Sequence, residues 1–310
     1  MKQYFIRKGT KDNFEYYTKY NKKITDLKIL KKIKKIYIAP AYIDVKIYLD
    51  SDILATGIDK AGRKQYVYSK EMKEKRELKK YKRLKILSEN INNLKNKINK
   101  DLREDEFTKE KLIALLLKIM DLCNFRSGNK KYEKLYGSYG LITLHKKHIF
   151  IKKDYVEIDF IGKKGVLNNC LIKNKNIQIL IKKVYNISSN DDPYLFSIVD
   201  NENNKIVKVL INDVNEYLKI FKITCKDLRM WNANIIFLKN LKLELNNTDD
   251  RKKLIRSSIN KTAILLHHTP AICKSSYIFK KIIEDIENND YIINDLIDNK
   301  NVDDILKGFL

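Results

Sequence analysis

Three short stretches of this chain gather residue types that can act on an anionic ester. Asn124-Phe125-Arg126-Ser127-Gly128-Asn129-Lys130-Lys131-Tyr132 sets an arginine at the end of an apolar helix, beside a glycine turn and two further cations. Lys226-Asp227-Leu228-Arg229 opens an apolar-periodic helix. Leu266-His267-His268-Thr269-Pro270 leads on through Ala271 to Tyr277. Thr269 can cap a helix whose first residue is Pro270, and Tyr277 then falls about two turns further on. A histidine beside a helix N-terminus is placed to donate to an anion. Taken singly, each stretch has an ordinary reading: a basic loop, a solvated first turn, a helix restart, and a packing tyrosine among 19.

The charge of the chain indicates what such residues would act upon. A formal net charge of +25 at pH 7 and a pI near 9.6 call for a polyanionic partner. Of the 64 basic residues only nine are arginine, at 7, 63, 76, 83, 103, 126, 229, 251 and 256. In so lysine-biased a chain an arginine is a clue to a place where a planar, bidentate donor is wanted. The nucleotide and metal motifs GxxxxGK[ST], GxGxxG after a strand, HExxH and a convincing DxD run are missing, so neither ATP nor a metal is expected as a cofactor. Chemistry on a phosphodiester without a metal leaves the electrostatic work to positive side chains. Two arginines, a lysine or histidine, and a nucleophile are the natural set.

Elements must hold these residues in place. At 310 residues the chain suggests about two domains, and 44% hydrophobic content describes a folded protein rather than a basic tail. No apolar run reaches the ~18 residues of a membrane span, and the start lacks a signal-peptide apolar region, so a soluble, non-secreted protein is expected. Cys123, Cys170, Cys225 and Cys273 lie about fifty residues apart with no CxxC pair, which points to reduced thiols in a reducing compartment.

The first seventy residues alternate as strands do, in 42–49, 52–58 and 63–69 around the turn Asp59-Lys60-Ala61-Gly62. From Lys70 the period becomes helical, with Leu84, Leu87, Ile91, Leu94, Ile98 and Leu102 spaced by threes and fours. A boundary within 70–80 gives a β-rich domain over 1–76 and a larger one over 77–310. A mostly apolar helix at 112–125 should be buried. Strand-like runs follow in GLITL, HIFI, YVEIDFIG and VLNNCLIK, the last two joined by Gly162-Lys163-Lys164-Gly165 as a hairpin with lysines at its tip. Beyond 175 the periods are mostly helical, over 175–185, 209–220, 226–239, 250–266 and 277–287, before an acidic end. The fold class expected is α+β: a small β-rich N-terminal domain, then a mainly helical domain carrying a short sheet.

In this order the segments resemble the poxvirus-type type IB DNA topoisomerases, of the tyrosine recombinase and topoisomerase IB superfamily. Gly57-Ile58-Asp59-Lys60-Ala61-Gly62-Arg63-Lys64-Gln65-Tyr66-Val67-Tyr68 is similar to that family's GxDxxGRxQYxY signature. The likeness continues through RSGNKKY, YGLITLHKKHI, FIGKKG, KDLR and HHTPAICKSSY. It implies an ATP-independent enzyme that relaxes supercoiled duplex DNA, as a monomer clamping the duplex between its two domains. Tyr277 would be the nucleophile that forms a 3′-phosphotyrosyl link and frees a 5′-hydroxyl. Arg126 and Arg229 would hold the non-bridging oxygens, His268 would donate a further hydrogen bond, and Lys163 would protonate the leaving oxygen. Gln65 and Tyr66 would read base edges, and Lys130, Lys131, Tyr132 and Thr143 would touch phosphates. Lys226 and Asn234 would be supporting residues around Lys163, counted with the DNA-binding residues.

The sequence departs from the family at Lys164, where the best-known relatives have an acidic residue. His267-His268 is a doubled histidine, and spacing to Thr269-Pro270 selects His268. The resemblance also implies a virion and host-cytoplasm location and a pyrimidine-rich site resembling CCCTT. A tyrosine recombinase shares the Arg, Lys, Arg, His, Tyr order, but usually shows His-x-x-Arg where this chain has Lys226-Asp227-Leu228-Arg229. A non-catalytic DNA-packaging protein would explain the charge and leave the ordered series unexplained.

Overall fold

Alternating residues in the first seventy positions fold into five strands, β1 (Phe5–Thr10), β2 (Asn13–Thr18), β3 (Ile43–Ile47), β4 (Ile53–Ile58) and β5 (Lys64–Tyr68), with helix α1 (Leu27–Lys34) after β2. The structure, a computed structural model, describes residues 3–10, 13–188, 192–200 and 205–310. The sheet is antiparallel in the order β2-β1-β3-β4-β5. One face buries Phe5, Val45, Ile47 and Ala55 against Ile24 and Ile33 of the α1 region. Asp26 caps α1 through its carboxylate, which accepts from the backbone of Lys28 and Ile29. Arg7 is one of the scarce arginines and serves the fold: nearly buried, it donates to the carbonyls of Ala39 (3.1 Å) and Tyr42 (2.7 Å) over the ring of Phe14. Arginine scarcity therefore marks fork-shaped donors in general, whether they meet a ligand or a loop backbone.

The chain divides into two compact units, Met1–Tyr81 and Lys82–Leu310, passing from one to the other inside the long helix α2 (Lys70–Asp101). In the second unit the expected stripe is buried at Leu84, Leu87, Ile91, Leu94 and Ile98. Helix α3 (Lys109–Cys123), capped by Thr108, buries ten of its residues, as its near-continuous apolar run requires. Then follow α4 (Lys130–Tyr136) and the antiparallel sheet of β6 (Ile149–Ile151), β7 (Val156–Ile161) and β8 (Leu167–Ile172), in that order. Helix α5 (Lys175–Ile187) precedes the ribbon of β9 (Ser197–Asp200) and β10 (Lys205–Lys208). The rest is helical: α6 (Ile211–Lys219), α7 (Cys225–Glu244), α8 (Arg251–Leu265), α9 (Pro270–Ser276), α10 (Lys280–Asn288), α11 (Tyr291–Ile297) and α12 (Val302–Phe309). The whole is the mixed α+β fold expected. Among the described residues no helix is long and apolar enough to cross a membrane.

Some local expectations change. GLITL is a 3-10 turn (Leu141–Thr143) rather than a strand, because the Thr143 hydroxyl bonds both the N–H (2.9 Å) and the carbonyl (3.1 Å) of Gly140 and curls the backbone. The helix expected from 277 begins at Lys280, since Tyr277 and Ile278 both donate their N–H groups back to the Cys273 carbonyl and close α9. The expectation of four reduced cysteines fails for two of them. Cys123 and Cys170, 47 residues apart in sequence, are joined by a disulfide with a Cα separation of 5.6 Å. The last residue of α3 meets β8 because α3 packs on that strand, a proximity that sequence spacing does not reveal. Cys225 and Cys273 remain free and buried.

Burial of histidine gives the fold a pH dependence. His148 is 7% exposed, and its Nδ1 accepts from the His145 backbone at 3.0 Å. Burial, then the charges of His145 and Lys147, push its pKa down to about 4. In the unfolded chain the same ring titrates near about 6.5. Protons therefore bind the unfolded state more tightly, and stability is complete above that value and falls as the pH drops towards 4. The expected loss across this window is about 3 kcal/mol from His148 alone. Urea midpoints measured from pH 7 to 4.5 should fall, and less steeply in His148→Gln; parallel curves would show that His148 is not the group responsible.

Candidate active site

Arg229 lies one turn into α7, where helix geometry turns its side chain inward. Asp227 fixes that start, its carboxylate accepting from the Thr224 N–H (2.9 Å) and hydroxyl (2.7 Å), so the acidic residue of Lys226-Asp227-Leu228-Arg229 is a cap and not a ligand. The Arg229 side chain, 4% exposed, then ties three segments together. Nε donates to the Asn124 carbonyl (2.9 Å), Nη2 to the Leu266 carbonyl (2.8 Å) and to His268 Nε2 (3.1 Å), and Nη1 to the Tyr277 hydroxyl (3.0 Å). Burial, offset in part by the Tyr277 interaction, lowers its pKa to about 10, which leaves it charged at neutral pH.

Each partner arrives through a local backbone device. Asn124 ends α3 in the left-handed region, with φ of 55°. Phe125 behind it is fully buried, edge-on to Phe160 of β7 at 4.8 Å between ring centroids. Arg126 follows, half-buried, with its carbonyl accepting from Leu141. Gly128 has φ of 87°, and a Cβ there would stand 2.9 Å from the Gly140 Cα, so glycine is required by both conformation and contact. At the end of α8, His267 turns left-handed (φ 54°) and delivers His268, whose N–H donates to the Ala263 carbonyl. Thr269 caps α9 with Pro270 as its first residue, as the sequence predicts.

Tyr277 closes α9, with its ring centroid 4.3 Å from that of His268. Asn234, fully buried on α7, braces it from behind: its Nδ2 donates to the Tyr277 carbonyl (3.1 Å) and its Oδ1 accepts from the Phe279 N–H (2.9 Å). Because guanidinium can only donate, His268 Nε2 is the acceptor and the ring proton sits on Nδ1, which has no partner among the described residues. Burial foremost, then the charges of Arg229, Arg126, His267 and Lys163, drive the His268 pKa down to about 3. Lys163 itself stands in the exposed turn Lys163–Gly165 at the tip of the β7–β8 hairpin, where Lys164 is left-handed with φ of 67°. The arrangement is a cationic pocket around one tyrosine hydroxyl, suited to an anionic, phosphorus-centred transition state.

The sequence profile of the eukaryotic DNA topoisomerase I catalytic core matches residues 69–300. The DNA topoisomerase 1B of Acanthamoeba polyphaga mimivirus is 31% identical over 309 residues, covering 96% of this chain and 91% of that one. The chain belongs to the type IB DNA topoisomerase family. The DNA topoisomerase 1B of Vaccinia virus (strain Copenhagen) is 28% identical over 259 residues, 82% of this chain and 78% of its own. A solved XerH site-specific recombinase bound to its palindromic difH substrate superposes with a TM-score of 0.38 at 15% identity, over 63% of this chain and 50% of that one, too slight a likeness to decide anything.

The remaining candidate residues of the enzyme fall into separate places. Gln65 and Tyr66 lie on β5 of the first unit. The Gln65 amide donates to Asp59 (2.8 Å), which also takes the Arg63 Nε (2.9 Å), and Tyr66 is 45% exposed. Lys130, Lys131 and Tyr132 lie on α4, with Lys131 and Tyr132 outward and Lys130 over the ring of Tyr194. Lys226 is exposed in the first turn of α7. Thr143 was expected at a phosphate, but it is 0% exposed and its hydroxyl is engaged by Gly140, so it shapes the Arg126 loop. Asn234, equally inaccessible, positions the Tyr277 backbone.

Two features escaped the sequence reading. One is the disulfide. The other is Glu133, whose carboxylate meets His145 Nε2 (2.9 Å) and accepts from the Tyr194 hydroxyl (2.8 Å), fastening α4 to the body of the unit. A lone acid in the run Lys130-Lys131-Tyr132-Glu133-Lys134 was the available signal.

Proposed function

We propose that this topoisomerase relaxes supercoiled duplex DNA by cutting and resealing one strand through Tyr277, without ATP or a metal ion. The Tyr277 hydroxyl gives up its proton to solvent as its oxygen attacks the phosphorus, a 3′-phosphotyrosyl bond forms, and the bond to the 5′-oxygen breaks. Lys163 delivers the proton that this oxygen needs to leave as a hydroxyl. Arg126 and Arg229 take the non-bridging oxygens. The observation that supports this most directly is the Arg229 Nη1 to Tyr277 hydroxyl contact of 3.0 Å, which puts a positive charge beside the oxygen that must become anionic. Once a phosphate replaces His268 as acceptor for Arg229, the imidazole can turn its N–H towards a non-bridging oxygen.

Energy of the broken ester is kept in the phosphotyrosyl bond, so the 5′-hydroxyl reverses the attack after the strand has rotated. In the same reading the enzyme acts as a monomer, Gln65 and Tyr66 contribute base contacts, and Lys130, Lys131, Tyr132 and Lys226 contribute phosphate contacts. Host cytoplasm and virion are its working places, a reading supported by the viral origin of its relatives.

The test is relaxation of supercoiled plasmid in EDTA without ATP, with denaturant added in parallel to trap protein on DNA. Relaxed topoisomers and protein attached to 3′-phosphate ends are expected. Mobility shift without any change in linking number would return the chain to the packaging class.

A further inference from the structure

We propose that the Cys123–Cys170 pair is a positioning element for the general acid, set by its redox state. Oxidised, it holds the hairpin carrying Lys163 at the place the reaction needs; reduced, it lets that arm drift from Arg126. The inference rests on the proposed role of Lys163.

The two cysteines sit at the roots of two catalytic segments. Cys123 is the last residue of α3, three positions before Arg126. Cys170 lies on β8, paired with Ile158 of β7, in the ladder that runs out to Lys163. At the rise of a strand, Cys170 stands about 13 Å from the beginning of the tip. Beyond that point the arm is held by Phe160, 4% exposed, and by the Tyr139 N–H, which donates to the Ile161 carbonyl at 2.9 Å, and its tip is open to solvent. Lys163, Lys164, Gly165, Val166 and Leu167 are all exposed, and β8 is the edge of its three-stranded sheet. At its root the arm is fastened by the packing of α3 on β8 and by the bridge itself, and nearer the tip by the Phe125–Phe160 ring contact. Only the bridge is covalent. Without it, only these non-covalent contacts hold the arm that carries Lys163 to the segment that carries Arg126.

The chemistry is selective for this pair. Cys170 is partly exposed and Cys123 is 3% exposed, so Cys170 is the half of the bridge nearer to solvent. Cys225 and Cys273 are buried, and burial pushes their thiols up to about 12 and about 11, so neither offers a thiolate to compete. Formation takes two thiols and a low-molecular-weight disulfide as oxidant: the protein bond forms, the oxidant's S–S bond breaks, and two protons and two electrons leave with its two thiol products.

The experiment compares single-turnover cleavage by oxidised enzyme, by enzyme reduced with dithiothreitol that is then removed, and by Cys170→Ser. Each is given a normal phosphodiester and a 5′-bridging phosphorothiolate, whose sulfur leaves without a proton. Misplacing the acid should slow the first substrate about tenfold and leave the second within about twofold. Lys163→Ala should be slower by about 10²-fold on the phosphodiester, recover on the phosphorothiolate and ignore reduction. Equal slowing of both substrates would show that the bridge only stabilises the fold, and unchanged rates would dismiss it as a positioning element. If Lys163→Ala gains nothing from the phosphorothiolate, the general-acid assignment itself fails, an outcome separate from either of these.

Discussion

Tyr277→Phe should form no covalent adduct and relax no plasmid, a loss of about 10⁴-fold or more, while binding duplex DNA within about twofold of the parent enzyme. The substitution removes one oxygen, and the surroundings show how little else changes. Arg229 loses one acceptor but keeps the carbonyls of Asn124 and Leu266 and the His268 ring. Asn234 grips the backbone of residue 277, not its side chain, so the ring keeps its seat beside His268. Adduct formation on a denaturing gel and filter binding together make the measurement. A persistent adduct would mean that another residue is the nucleophile.

Arg229→Lys should slow cleavage by about 10³-fold and also lower stability. A lysine has one nitrogen where this site uses three, and the buried carbonyls of Asn124 and Leu266 would be left to compete for it with Tyr277 and the phosphate. Each carbonyl without a partner costs about 1–3 kcal/mol. Arg126, half-buried on a loop, carries no such structural duty, and Arg126→Lys should slow cleavage at unchanged stability. Single-turnover rates and urea midpoints for the pair of variants check both halves. Ordinary cleavage by Arg229→Lys would remove the case for bidentate stabilisation.

What could be read from the chain was whatever local backbone chemistry determines. Thr269 followed by Pro270 announces a helix start in any context, and lysines between Gly162 and Gly165 announce a hairpin tip. The series from Arg126 to Tyr277 was legible as a resemblance, and the structure brings Arg229, His268 and Tyr277 into direct contact. Burial was not legible. Thr143 reads as a surface hydroxyl and lies inside, because two glycines must approach each other beside it. Arg7 reads like any other scarce arginine and is consumed by a loop. Cys123 and Cys170 meet only because a helix lies across a sheet, and no spacing rule contains that fact.

Helix α4 buries none of its seven residues, and Glu133 fastens it by two hydrogen bonds. Surface substitutions of this kind usually shift stability by no more than about 0.5 kcal/mol. Lys131 and Tyr132 can therefore be exchanged almost without penalty to folding, whereas every partner of Arg229 is locked to several others. The enzyme thus divides into a surface that can be altered residue by residue and a centre that can be altered only as a whole.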